Sequence, residues 1–185
     1  MNALEILRNE HGLIRQFVDT LSLAVGKLEE GKHPPRTFFE LAAEFAREVA
    51  DRSHHFKEEH LLFARLAAKK KGTIDGQIEM LRNQHDRARN YWAEIVKSLD
   101  GYAQKQPIQT STVLESVAAY VAVLRQHMHL EDHVFYPLVE KTLSREELDA
   151  VLAEFEKHRK EAGTDAFEKH HKQVVDLGSM LVHMG

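Results

Sequence analysis

The sequence predicts an all-α fold, an up-down-up-down four-helix bundle with a C-terminal helical extension, and three observations lead there. Four long segments repeat apolar residues at helical spacing, with turn residues between them. The connections are short, which favours antiparallel neighbours. The two halves of this region also share one grammar, a lone histidine on one helix followed by His-x-x-x-Glu on the next. With 185 residues, a single domain is expected: a four-helix part over 1–143 and a helical extension of the same domain over 144–185.

The first helix is expected from about Asn2 to Glu30, with Asn2 and Glu5 at capping-box spacing and Gly31 as its stop. Its stripe is Leu4, Leu7, Val18, Leu21, Val25 and Leu28, and His11 lies inside it. The second runs from about Arg36 to Lys71, after Pro35 and before Gly72, with Phe38, Leu41, Phe45, Leu62 and Leu66 inward beside His55 and Glu59. The third, from about Ile74 to Ala103, sets His85 among Ile78, Leu81, Trp92, Val96 and Leu99 and is ended by Gly101 and Pro107. The fourth, from about Thr112 to Thr142, has a capping-box pattern at Thr112 and Glu115, and Val113, Tyr120, Leu124, Val134 and Leu138 flank His127 and Glu131. Pro137 should kink or end it. A further helix starts from the Ser144–Glu147 capping pattern and runs to about Ala162; Gly163 breaks it, and a final short helix follows Thr164.

Composition narrows the function. The 29 acidic and 25 basic residues leave a net charge of -4, without the basic excess of a nucleic-acid surface. The absence of cysteine removes disulfides, iron–sulfur clusters and zinc–thiolate sites, leaves imidazole and carboxylate as the strong metal ligands, and fits a reducing cytoplasm. The N-terminal stretch carries charges within its apolar residues, unlike a signal peptide. The longest apolar run, Val117 to Leu124, is far below the ~20 residues of a membrane helix. The expectation is a soluble cytoplasmic protein with no nucleic-acid or membrane partner; oligomeric state is not readable.

His11, His55, Glu59, His85, His127 and Glu131 carry the chemistry. Residues four apart on a helix share a side, so each His-x-x-x-Glu offers an imidazole and a carboxylate to one spot. His11 and His85 lie at comparable depths in the first and third helices, and His55 and His127 in the helices running the other way. An unpaired polar group buried in a core costs about 1–3 kcal/mol, and a carboxylate more. Four imidazoles and two carboxylates on core stripes are hard to satisfy among themselves, whereas a pair of cations satisfies all six. Sulfur-free imidazole and carboxylate ligands suit iron, manganese or zinc, and two carboxylates able to bridge favour a dinuclear iron or manganese centre, iron first. His54, His60, His129, His133, His158, His170 and His171 read as solvated or rim residues, and His33 as a loop residue.

The segments HHFKEEHLLF at 54–63 and QHMHLEDHVFYP at 126–137, with the lone His11 and His85, resemble the hemerythrin or HHE cation-binding family over roughly residues 4 to 141. The resemblance implies two iron ions in a left-handed four-helix bundle, each held by two histidines. Glu59 and Glu131 would be shared, and an oxo or hydroxo oxygen from solvent would complete the bridge. Manganese or zinc are the lesser alternatives. Oxygen-carrying members have a fifth histidine where this chain has Arg89 and an aspartate where it has Glu131. His33, His158 and Tyr120 are the candidates for a further ligand, and Arg89 either points inward, placing a positive charge near a bound anionic ligand such as peroxide, or is a surface arginine. The expected function is binding of dioxygen, nitric oxide or peroxide for sensing, scavenging or iron handling. The alternatives are a di-iron redox enzyme, reducing peroxide or nitric oxide or repairing iron–sulfur clusters, and a helical module stabilised by its metal.

Overall fold

A computed structural model describes residues 2–69, 72–162, 166–182 and 184. All regular structure among these residues is helical. The expected helix end at Lys71 and the break at Gly163 and Thr164 lie outside the described residues.

Helix α1 spans Ala3–Glu29. Asn2 closes its N-terminus as a capping box: its side chain accepts from the Glu5 backbone N–H at 2.9 Å, and the Glu5 carboxylate accepts from the Asn2 N–H at 2.8 Å. At the other end Gly31 takes φ 76°, and the Gly31 and Lys32 N–H groups reach back to the carbonyls of Leu28 and Lys27. That is a Schellman stop, in which the left-handed residue is glycine because no Cβ is there to clash.

The second rod begins as α2, Arg36–Phe45, continues through π-helical stretches at Ala46–His55 and Lys57–Leu62, and finishes as α3, Phe63–Ala67. Helix α4 spans Gly72–Ala103. Gly101 sits inside it rather than ending it; Lys105, at φ 55°, takes the left-handed position, and Gln106 N–H bonds back to the Gly101 carbonyl. The fourth rod starts at Pro107, earlier than expected, because proline at the first turn gives up an N–H that has no helical partner there. Helix α5 is Pro107–Leu130, and Thr112, expected as a cap, instead donates to the Ile108 carbonyl from within it. A π-turn at Glu131–Phe135 leads into α6, Tyr136–Thr142, so Pro137 does not end the rod. Helix α7, Arg145–Ala162, starts from Ser144, whose hydroxyl and N–H exchange bonds with Glu147. Helix α8 is Ala166–Val182, a full-length helix rather than a short one.

Helix α4 packs along α5, α1 along α5, and α2 along α4. The apolar side chains fall into two clusters. One holds Phe17, Phe45, Trp92, Leu99, Val117 and Tyr120, with Val174, Leu177 and Leu181 from α8. The other holds Leu4, Leu7, Leu62, Phe63, Leu81, Phe135 and Tyr136, with Val151 and Phe155 from α7. Each rod passes from one cluster to the other through a buried polar stretch, His11 in α1, His54 to Glu58 in the second rod, His85 in α4, and His127 to Glu131 in the fourth. Full burial of such a side chain stabilises by about 1.5–3 kcal/mol, so the two clusters hold the rods firmly on either side of a polar layer. Leu41, Val96 and Val134, expected inward, are exposed. Among the described residues no helix is long and apolar enough to cross a membrane.

Candidate metal centre

The polar layer brings together His11, His54, His55, Glu58, His85, His127 and Glu131, all essentially fully buried. Five of the six residues expected from the sequence are in it. Glu59 is not: its carboxylate lies at the edge, accepting from His85 Nδ1 at 2.6 Å and from Arg89 at 2.7 Å, and Glu58 stands where Glu59 was expected. His54, expected at the rim, is buried beside His11, their ring centroids 4.6 Å apart. The physical reason lies in the second rod. An i→i+5 helix carries more residues per turn than an α-helix, so consecutive side chains sit closer in azimuth, and His54 and His55 both turn inward.

The ring nitrogens divide by role. On the outer side His11 Nδ1 meets Asp132 at 3.0 Å, His54 Nδ1 meets Glu10 at 3.0 Å, His85 Nδ1 meets Glu59 at 2.6 Å, and His127 Nδ1 meets the Gln84 side-chain oxygen at 2.9 Å. Each partner oxygen only accepts, so these Nδ1 atoms carry a proton, and whenever the ring is neutral its Nε2 presents the lone pair. His55 Nδ1 faces Asp51 at 3.6 Å, in ion-pair range but beyond a hydrogen bond. The outer carboxylates are in turn held by cations: Asp132 by Arg15, Glu10 by Lys57, and both Asp51 and Glu59 by Arg89. Arg89 is thus neither a ligand nor a free surface residue but a strap across two outer partners. Such supporting shells orient ligating imidazoles and raise their basicity.

On the inner side the lone pairs converge. His85 Nε2 lies 3.0 Å from His127 Nε2 and 3.4 Å from Glu58 Oε2. Glu131 Oε2 lies 3.1 Å from His11 Nε2 and 3.2 Å from His127 Nε2. Tyr136 donates to Glu58 Oε1 at 2.6 Å, with its oxygen 3.5 Å from His11 Nε2. His54 Nε2, His55 Nε2, Glu58 Oε2 and both Glu131 oxygens are buried without a hydrogen-bond partner. Donor atoms of His11, His54, Glu58 and Glu131 lie within 4.8 Å of one another, as do those of Glu58, His85, His127 and Glu131, and those of His55, His85 and His127. Glu58 and Glu131 belong to two of these groups. Donor atoms packed this closely are tolerated only with protons or cations between them, and nitrogen- and oxygen-ligated cations suit the arrangement.

The titration of these groups shows where the protons sit. Burial, with Glu58 close by, pushes Glu131 up to about 8. Burial works against charge on His11 and His85, yet their carboxylate neighbours raise both to about 9. Burial, reinforced by His85, drives His55 down to about 3 and His127 well below its ordinary value. Near neutral pH the metal-free layer therefore compensates its carboxylates with protons on His11, His85 and Glu131, and an entering cation displaces them.

Sequence reasoning missed His54, Glu58 and Tyr136. A signal for the first two existed: the doublets His54–His55 and Glu58–Glu59 place His-x-x-x-Glu in two overlapping registers. Of the weak ligand candidates, His33 lies beside Tyr102, His158 stacks on Phe56, and Tyr120 packs on Trp92, while His60, His129, His133 and His171 are exposed.

Comparison with known proteins agrees with this geometry. The model of the hemerythrin HHE cation binding domain matches residues 2–139. Two relatives are the uncharacterized proteins Rv1995 of Mycobacterium tuberculosis and Mb2018 of Mycobacterium bovis, each 24% identical over 183 residues, 98% of this chain and 71% of the relative. No solved structure gives a significant match. With a match spanning most of its length and a buried layer of histidines and glutamates suited to cations, the chain belongs to the hemerythrin HHE cation-binding domain family.

Proposed function

We propose that the polar layer holds two iron ions and that the protein binds dioxygen or nitric oxide there, for sensing, scavenging or iron handling. The sharing of Glu58 and Glu131 between two donor groups carries this reading. His11 and His54 would hold one ion and His55, His85 and His127 the other, with Glu58 and Glu131 available to both. If both ions were six-coordinate, five imidazoles and two shared carboxylates would leave positions open for a small ligand. Adjacent iron ions supply a change of oxidation state coupled to binding of such a ligand.

The chain's own residues do the rest. Tyr136 fixes the orientation of Glu58, Arg89 steadies the outer partners of His55 and His85, and the two apolar clusters keep bulk water from the layer. The helix packing is read as an up-down-up-down bundle of the four rods. Residues 144–185 complete the same domain, since α7 and α8 contribute to the two clusters. A cytoplasmic location follows the cysteine-free composition.

The test is optical. Reduced, iron-loaded protein exposed to air or nitric oxide is expected to develop a charge-transfer band that disappears when the gas is removed. Slow irreversible oxidation without such a band would overturn reversible binding.

A further inference from the structure

A groove of about 670 Å³ runs along the seam between α1 and the fourth rod, lined by Arg8 and Arg15 from one side and by Arg125, His129, Asp132 and His133 from the other. Three arginines and a single carboxylate therefore face it, on a chain whose net charge is -4. Ion pairs between the rods set the order along the groove: Arg8 meets Glu140 at 3.2 Å, Arg15 meets Asp132, and Arg125 meets Asp19 at 2.9 Å. Glu140 and Asp19 lie beyond the lining, so two of the arginines line the groove while their partners stand outside it. Asp132 does line it, but its second oxygen already meets His11 Nδ1 at 3.0 Å. The stacked rings of His129 and His133, 4.4 Å apart, continue the wall beyond Arg125. Gly12, on the same face of α1 between Arg8 and Arg15, adds no side chain, and nothing lies within 4 Å of where one would begin.

The chemistry of the walls selects the occupant. Exposed ion pairs are worth about 0–1 kcal/mol each, so an incoming anion exchanges with Glu140 or Asp19 at little loss. A guanidinium carries N–H donors in a planar fork of five, and the pairs formed here engage one or two of them. That fork matches the paired oxygens of a phosphate or a carboxylate. Arg8 and Arg15 stand two helical turns apart, about 10 Å. Sites for small organic ligands take about 300–1,000 Å³, and this groove is within that range, larger than a lone inorganic ion fills.

We propose that the groove binds a small organic molecule carrying two oxyanionic groups, phosphate or carboxylate, about 10 Å apart. One group bonds to Arg8, and the other is held between Arg15 and Arg125. The site lies outside the metal layer, and its occupancy does not depend on which cation or gas that layer holds.

Calorimetric titration of the protein as purified, at physiological salt, tests this. Fructose bisphosphate, phosphorylated at both ends of the sugar, and suberate, a linear dicarboxylate, are the two probes; fructose monophosphate and octanoate are their single-ended counterparts. At least one probe is expected to saturate at one molecule per chain and to bind at least tenfold more tightly than its counterpart, and which of them does so tells phosphate from carboxylate. Arg8→Gln and Arg125→Gln are each expected to weaken that binding at least tenfold. The Arg8 guanidinium lies over the Tyr136 ring, whereas the Arg125 side chain is 52% exposed, so Arg125→Gln decides the matter should Arg8→Gln fail to fold. Saturation by neither probe, equal binding of the single-ended counterpart, or unchanged affinity in Arg125→Gln would overturn the proposal.

Discussion

Glu58→Gln is expected to lower bound metal from about two ions per chain to one or fewer, whereas Glu59→Gln keeps both. The two residues are neighbours of identical chemistry, and only their placement differs. Glu58 is fully buried, with one oxygen on Tyr136 and the other 3.4 Å from His85 Nε2 and 3.7 Å from His54 Nε2. Glutamine there keeps the shape and the acceptor for Tyr136 but removes the charge and replaces one carboxylate oxygen with an amide nitrogen that cannot ligate a cation. Glu59 acts one bond further out, through His85 Nδ1, and its carboxylate is held down to about 2 by His85 and Arg89 against the effect of burial. Loss of such an outer partner weakens metal binding about 10–100-fold without deleting a site. Metal content after dialysis, followed by competition with a chelator, separates the two variants; equal loss in both would show that the placement of Glu58 has no consequence.

The second large effect is on stability. Stripping the metal with a chelator is expected to lower the melting temperature by on the order of 10 °C. A ligand present at a thousand times its dissociation constant stabilises a fold by about 4 kcal/mol, and about 1 kcal/mol moves the midpoint of a domain this size by 2–4 °C. The layer gives the loss its mechanism: without cations, Glu58 and Glu131 face each other in a dry interior, and the pair is kept tolerable only by protons on Glu131 and its histidine neighbours. Thermal unfolding followed by circular dichroism, with metal restored as the control, checks this. An unchanged midpoint would mean that the apolar clusters alone hold the rods.

Local chemistry made most of the helices readable from residues alone. The Asn2–Glu5 and Ser144–Glu147 boxes and the stop at Gly31 are short-range events, and each forms as its residue types dictate. Where expectation failed, the cause was competition among local signals. The start at Pro107 was hidden by the polar first turn, and the Thr112 pattern inside it imitated a cap. Leu41, Val96 and Val134 fit a helical stripe drawn from periodicity, yet they lie at its margins and face out.

The metal layer was readable as a belt of histidines, because polar residues on apolar stripes demand partners, but its register was not. His-x-x-x-Glu spacing is satisfied by His54 with Glu58 and by His55 with Glu59, and α-helical geometry does not choose between them. The π-helical backbone turns both histidines and Glu58 inward and leaves Glu59 at the edge, a choice that depends on how the rod packs on α1 and α4. Arg89 could not be placed for the same reason: its partners Asp51 and Glu59 lie on another rod.

Anomalous scattering from crystals of protein purified without added metal tests the central claim most directly. The account predicts two metal peaks inside the layer, each within coordination distance of an oxygen of Glu58 and an oxygen of Glu131. A single peak, or peaks lying outside that layer with Glu58 and Glu131 unligated, would contradict it.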